Sequence, residues 1–72
     1  MAWKITIKIL SGPLKGEQYE FVKDLVLIGR SKRSDLLIND PAVSAEHCRI
    51  KLAEDGFEIE DLNSKNGTFV NE

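Results

Sequence analysis

The chain of 72 residues contains a single cysteine, Cys48, and a single histidine, His47. One cysteine excludes an intramolecular disulfide and a cysteine-rich metal site. The fold must rest on packing, the usual solution in a reducing cytosol, and Cys48 itself reads as a small buried apolar residue. Long hydrophobic runs are missing as well. The longest, such as Leu25-Val26-Leu27-Ile28, fall far short of the roughly 20 residues that cross a bilayer. The start, Met1-Ala2-Trp3-Lys4, has no apolar signal-peptide core. These absences predict a soluble, cytoplasmic protein with no membrane partner. A basic surplus is lacking too: the net charge is −2, which argues against general nucleic-acid binding. Internal repeats and low-complexity segments are absent. The length allows one domain at most, taken as residues 1–72. A chain this short buries only about 60% of its unfolded surface, so its core is thin.

The charges that are present are unevenly placed. Gly29-Arg30-Ser31-Lys32-Arg33-Ser34 holds three cations and no acid, whereas Glu54, Asp55, Glu58, Glu60 and Asp61 form one dense acidic group. One basic loop on a mildly acidic protein suits a small anion better than a polymer; a solvated charge run is the plain alternative.

Period-two alternation dominates the rest. Trp3, Ile5, Ile7 and Ile9 alternate with Lys4, Thr6 and Lys8, which predicts a half-buried strand. Gly12-Pro13-Leu14-Lys15-Gly16 is a turn by composition. Tyr19 to Val22, Leu25 to Ile28 and Leu36 to Ile38 are the next strands, the last stopped by Asn39-Asp40-Pro41. Residues 42–47 are read as a loop with at most a single turn. Cys48, Ile50 and Leu52 mark a fifth strand, Asp55-Gly56 a hairpin turn, and Phe57, Ile59 and Asp61 a sixth strand. After the polar loop 63–67, Thr68-Phe69-Val70 begins a seventh. Seven short strands without a useful helix predict an all-β sandwich or barrel.

Three loops share one chemistry. The first offers Arg30, Ser31, Lys32, Arg33 and Ser34; the second Ser44, with His47 nearby; the third Ser64, Lys65, Asn66 and the amides around Gly67. A phosphate carries about −1.5 to −2 charge and three acceptor oxygens, and is held by a guanidinium, a hydroxyl and amides arriving from different directions. Loops distant in sequence meet at the ends of a sandwich. Taken singly, each residue has a plainer reading: Arg30 as a strand-end charge, Ser44 as a cap or turn residue, Asn66-Gly67 as an ordinary turn, and His47 as a satisfied structural histidine.

Taken together, Gly29-Arg30-Ser31, Ser44-Ala45-Glu46-His47 and Asn66-Gly67-Thr68 with Val70-Asn71 resemble the forkhead-associated (FHA) domain over roughly residues 3–72. The resemblance implies an antiparallel β-sandwich that recognises phosphothreonine in partner proteins, without catalysis or cofactor. It implies that Arg30 and Ser44 contact the phosphate, that Asn66 holds the ligand backbone, and that Lys65 touches the ligand nearby. Ser31, Lys32 and Arg33 would support the phosphate site. Gly29, His47, Gly67 and Thr68 would be structural.

Two departures stand out. Ala45 follows Ser44 where the family often carries a polar or basic residue. The family also continues past the Val-Asn segment with about three more strands, so a C-terminally incomplete sandwich is expected. Its open edges would favour self-association and expose Ile7, Ile50 or Ile59. A phosphate-independent interaction module is the alternative function. Enzyme readings find little support: His47 and Cys48 are strand neighbours facing opposite sides, no spacing matches a metal site, and the basic loop lacks the glycines of a nucleotide-binding loop.

Overall fold

A computed structural model describes residues 4–69, and all its regular elements are strands. The first pair is β1 (Ile5–Lys8) and β2 (Gln18–Phe21), antiparallel with Ile5 opposite Phe21 and Ile7 opposite Tyr19. Beyond the ladder, the Ile9 amide donates to the Glu17 carbonyl and the Gly16 amide to the Ile9 carbonyl, both at 2.9 Å. These bonds close the turn through Gly12 and Gly16, each of which takes a positive φ (91° and 94°) that glycine adopts without strain.

The second sheet contains β3 (Leu25–Gly29), β4 (Leu36–Leu37), β5 (Cys48–Ala53) and β6 (Gly56–Asp61), in the order β4-β3-β5-β6. The β3–β5 and β5–β6 pairs are antiparallel. The β3–β4 pair is parallel, an exception to the expected antiparallel arrangement. Its cause is local: the loop after Gly29 doubles back, so that Leu36 returns beside Ile28 and runs in the same direction.

Alternation along the strands sorts the two faces. Val26, Ile28, Cys48, Ile50, Leu52, Phe57 and Ile59 share one face through the registers Val26–Ile50–Ile59, Ile28–Cys48 and Leu52–Phe57. Leu27, Arg49, Glu60, Lys51 and Glu58 occupy the other. Burial falls steadily across the apolar row: Val26 is fully buried, Ile50 half-buried, and Ile59, on the edge strand, is 48% exposed. The core is small, with Val26, Leu36, Ile5 and Cys48 as its buried apolar members among the described residues. Of the apolar residues expected to be uncovered, Ile59 is exposed; Ile7 and Ile50 are half-buried, because each has apolar partners across its own sheet.

Two further boundaries differ from the sequence reading. The β5–β6 turn is Glu54-Asp55, one residue earlier than the expected Asp55-Gly56; Ala53 lies opposite Gly56, so Gly56 begins β6, with a φ of 132°. Thr68 and Phe69 form no strand; Thr68 is drawn instead into a hydrogen bond with Asp61, and Val70 lies outside the described residues. Residues 42–47 are a loop with turns and no helix.

Candidate functional site

Loop A, residues 30–35, leaves the end of β3. The Ser34 amide donates to the Ser31 carbonyl at 3.0 Å, and the Arg33 amide to the Ser31 hydroxyl at 3.1 Å, which fixes a tight turn. Asp35 anchors its far end. The Leu27 amide donates to the Asp35 carboxylate at 2.7 Å, and Lys23 pairs with it from the side. The Leu27 bond first, then Lys23, hold the Asp35 carboxyl below its ordinary pKa.

Loop B, residues 38–47, is laid against loop A by an extension of the β3–β5 ladder. The His47 amide donates to the Ile28 carbonyl, the Arg30 amide to the Ser44 carbonyl and the Ser31 amide to the Ala45 carbonyl, all at 3.0 Å. This close approach needs a residue without a side chain at position 29. A Cβ on Gly29 would lie 2.2 Å from the Ala45 carbonyl oxygen and 3.0 Å from the Ser34 hydroxyl. At the start of loop B, the Asp40 carboxylate accepts from the Ala42 amide at 2.9 Å, an Asx turn beside Pro41.

Loop C, residues 62–69, is organised by Asp61 at the end of β6. Its carboxylate accepts from the Ser64 amide at 3.0 Å, from the Ser64 hydroxyl, and from the Thr68 hydroxyl at 2.7 Å. The Ser64 hydroxyl in turn accepts from the Gly67 amide at 3.0 Å. Asn63 and Gly67 take the left-handed conformation (φ 60° and 83°) that this compact loop requires. Hydrogen bonds from Ser64 and then Thr68 hold the Asp61 carboxyl down to about 2.

Three side-chain bonds tie loop B to loop C. The Lys65 amide donates to the Ser44 hydroxyl oxygen at 2.9 Å. The Asn66 side-chain amide donates to the Ala42 carbonyl at 2.7 Å. His47 makes the third, lying between the Ser44 amide (3.0 Å from Nδ1) and the Gly67 carbonyl (2.9 Å from Nε2). An amide N–H can only donate, so Nδ1 is the acceptor; Nε2 therefore carries the hydrogen and donates to Gly67.

Arg30, Ser44, Lys65 and Asn66 are thus neighbours through their main chains and short side chains. Ser44 is half-buried, the other three exposed. Lys32 and Arg33 are also exposed, at the tip of loop A, and no hydrogen bond joins them to loop B or loop C among the described residues. The hydroxyl of Ser31 is engaged within its own turn. The ion pairs among the described residues are Lys4–Glu20, Lys23–Asp35 and Arg49–Glu60, so Arg30, Lys32, Arg33 and Lys65 have no carboxylate partner there. The Ser44 hydroxyl accepts from Lys65 and keeps its own hydrogen to give. Behind these loops Cys48 is buried, and burial pushes its thiol pKa up.

Asp61 is the site residue that the sequence reading left among the surface acids. Its alternation with Phe57 and Ile59 gave it a face but no role. The spacing Asp61-x-x-Ser64 is the signal that reveals it, since an Asp side chain commonly accepts from an amide a few residues onward.

The family model of the FHA domain matches residues 26–72. The chain belongs to the FHA domain family. It is 35% identical over 60 residues to an oxoglutarate dehydrogenase inhibitor of Corynebacterium efficiens, covering 83% of this chain and 42% of that protein. It is 34% identical over 62 residues to the FHA domain-containing protein FhaB of Mycobacterium tuberculosis, covering 86% of this chain and 40% of that one. The FHA chain therefore spans about two fifths of the length of these curated relatives. Among solved structures, one from a study of phosphothreonine-dependent FHA domain interactions superposes with a TM-score of 0.79 at 30% identity, covering 96% of this chain and 70% of the other. A Synechocystis sp. crystal structure shares the fold, with a TM-score of 0.66 at 22% identity over 99% of this chain and 66% of its own.

Proposed function

We propose that this FHA domain binds phosphothreonine-containing segments of partner proteins through loops A, B and C, as an interaction module without a catalytic step. The observation that carries the reading is the bond from the Lys65 amide to the Ser44 hydroxyl oxygen at 2.9 Å. It fills an acceptor position on that oxygen and leaves the O–H hydrogen available as a donor. The Arg30 main chain is bonded to Ser44, and the Arg30 guanidinium is exposed without an acid partner among the described residues. A planar two-pronged cation and a short neutral donor suit two oxygens of one phosphate.

Asn66 holds loop B with one amide hydrogen and retains a second hydrogen and an acceptor oxygen. Those are the two groups needed to grip a peptide backbone. Lys65 adds a cation at the rim. His47 and Gly67 act as scaffold, and Gly29 lets loops A and B approach. Because His47 Nδ1 accepts from the Ser44 amide, it is not placed to work as a base.

Calorimetric titration with matched phosphorylated and unphosphorylated threonine peptides tests this reading. Loss of one charged donor from such a site costs about 1.5–3 kcal/mol, roughly ten- to hundredfold in Kd. Arg30→Ala should show that loss, and Arg30→Lys should recover little of it. An unchanged Kd in Arg30→Ala would remove Arg30 from the site. Equal affinity for both peptides would favour a phosphate-independent module.

A further inference from the structure

We propose that this domain selects phosphothreonine peptides carrying acidic residues beside the phosphothreonine, with Lys32 and Arg33 as the selecting side chains. The inference rests on the phosphopeptide reading above.

Three consecutive features of loop A support it. First, Arg30, Lys32 and Arg33 place three cations within four residues. A single phosphate next to Ser44 engages Arg30, the cation whose main chain is bonded to that serine. Lys32 and Arg33 are left over. Second, the turn that carries them is fixed, by the Ser34 amide on the Ser31 carbonyl and the Arg33 amide on the Ser31 hydroxyl. The Ser31 amide is itself bonded to Ala45, the residue after Ser44. The backbone that carries the two cations is therefore held in a defined turn next to loop B.

Third, the acids of the neighbourhood do not neutralise them. Asp35 is paired with Lys23 and accepts from Leu27. Asp40 accepts from the Ala42 amide within its own turn. Asp61 is engaged by Ser64 and Thr68 under loop C. Glu46, exposed on loop B, makes no ion pair with loop A among the described residues. Exposed cations with no acid partner among the described residues, on a hydrogen-bonded turn at the rim of the proposed anion site, favour a ligand that brings the acids. Rim pairs of this kind act chiefly through selectivity and association rate, and salt weakens them.

The test compares four peptides by calorimetry at about 0.05 M and about 0.5 M salt. They are a phosphothreonine peptide with Asp and Glu flanks, one with Ala flanks, one with Lys flanks, and the acidic peptide unphosphorylated. Two screened surface pairs correspond to roughly two- to thirtyfold in Kd. At low salt the acidic phosphopeptide should bind about fivefold tighter than the alanine one and tighter still than the lysine one, with the gap shrinking at high salt. In the double variant Lys32→Gln/Arg33→Gln, the acidic and alanine phosphopeptides should converge in Kd. Equal Kd for these two peptides in the parent, with dependence on phosphate intact, overturns the inference and leaves the phosphopeptide reading standing. So does a preference for acids that the double variant retains. If phosphorylation changes nothing in any peptide, the phosphopeptide reading falls, and the inference falls with it.

Discussion

Replacing His47 by alanine separates a scaffold role from a ligand contact. The ring makes two bonds, accepting from the Ser44 amide at 3.0 Å and donating to the Gly67 carbonyl at 2.9 Å. Both are part-buried, and together they brace loop B and connect it to loop C. A net contribution of about 0.5–1.5 kcal/mol per bond gives about 1–3 kcal/mol for the pair. In a domain of this size that corresponds to a fall in Tm on the order of 10 °C. Binding should weaken too, because Ser44 and the residues around Gly67 lose their common brace. The assay is thermal unfolding followed by circular dichroism, alongside calorimetric titration of a phosphothreonine peptide. A His47→Ala variant that keeps its Tm but loses affinity would refute the scaffold argument and make His47 a direct contact. A variant that keeps both would show that the two bonds contribute nothing net.

Gly29→Ala should destabilise the domain by about 3 kcal/mol, the upper end for overpacking, because the added Cβ meets a main-chain carbonyl that the Ser31 amide holds in place; an unchanged urea midpoint would contradict the close approach. Acidification should loosen loop C. The folded pKa of Asp61, about 2, lies below its ordinary 3.8, so its contribution is present above the higher value and is lost as pH falls through the lower one. The Ser64 and Gly67 amide resonances should therefore titrate with a midpoint near 2; a midpoint near 3.8 would mean that Asp61 is not held by Ser64 and Thr68.

Much of this arrangement was legible in the sequence for a simple reason. Strands with one buried face record their period, and Cys48, Ile50 and Leu52 share the face that alternation assigned them, whereas the continuous apolar run Leu25 to Ile28 marked a strand without marking its face. Loop 42–47 was legible because Asn39-Asp40-Pro41 stops a strand, and Asp40 does cap the following turn. The parallel pairing of β4 was not legible, since a strand of two residues carries no direction in its pattern. Nor was the fate of Thr68. Its β-branched neighbourhood favours a strand, and the hydrogen bond to Asp61 overrides that local preference. The adjacency of Ser44 and Lys65 is a fact of loop conformation, so no spacing encodes it.

The three loops are not equally supported from beneath. Loops A and B emerge from β3 and β5 where Ile28, Leu36 and Cys48 meet, and two of those three are buried. Their main chains then continue the ladder through Arg30, Ser31 and His47. Loop C leaves the far strand, β6, where Phe57 is 41% and Ile59 48% exposed. Apolar burial gives that end little support, because burial scales with the area removed from water. Loop C is ordered instead by hydrogen bonds, from Ser64 and Thr68 to Asp61 beneath it, from Lys65 and Asn66 across to loop B, and from His47 of loop B to the Gly67 carbonyl. Bonds of that kind are directional and short in reach, so they set the position of Asn66 and Lys65 closely while contributing modestly to stability. The donor set proposed for the phosphate thus has a packed half, which carries Arg30 and Ser44, and a hydrogen-bonded half, which carries Lys65 and Asn66. Changes to Asp61, Ser64 or Thr68 act first on the second half, and they reach Ser44 through the Lys65 amide and through Gly67 and His47.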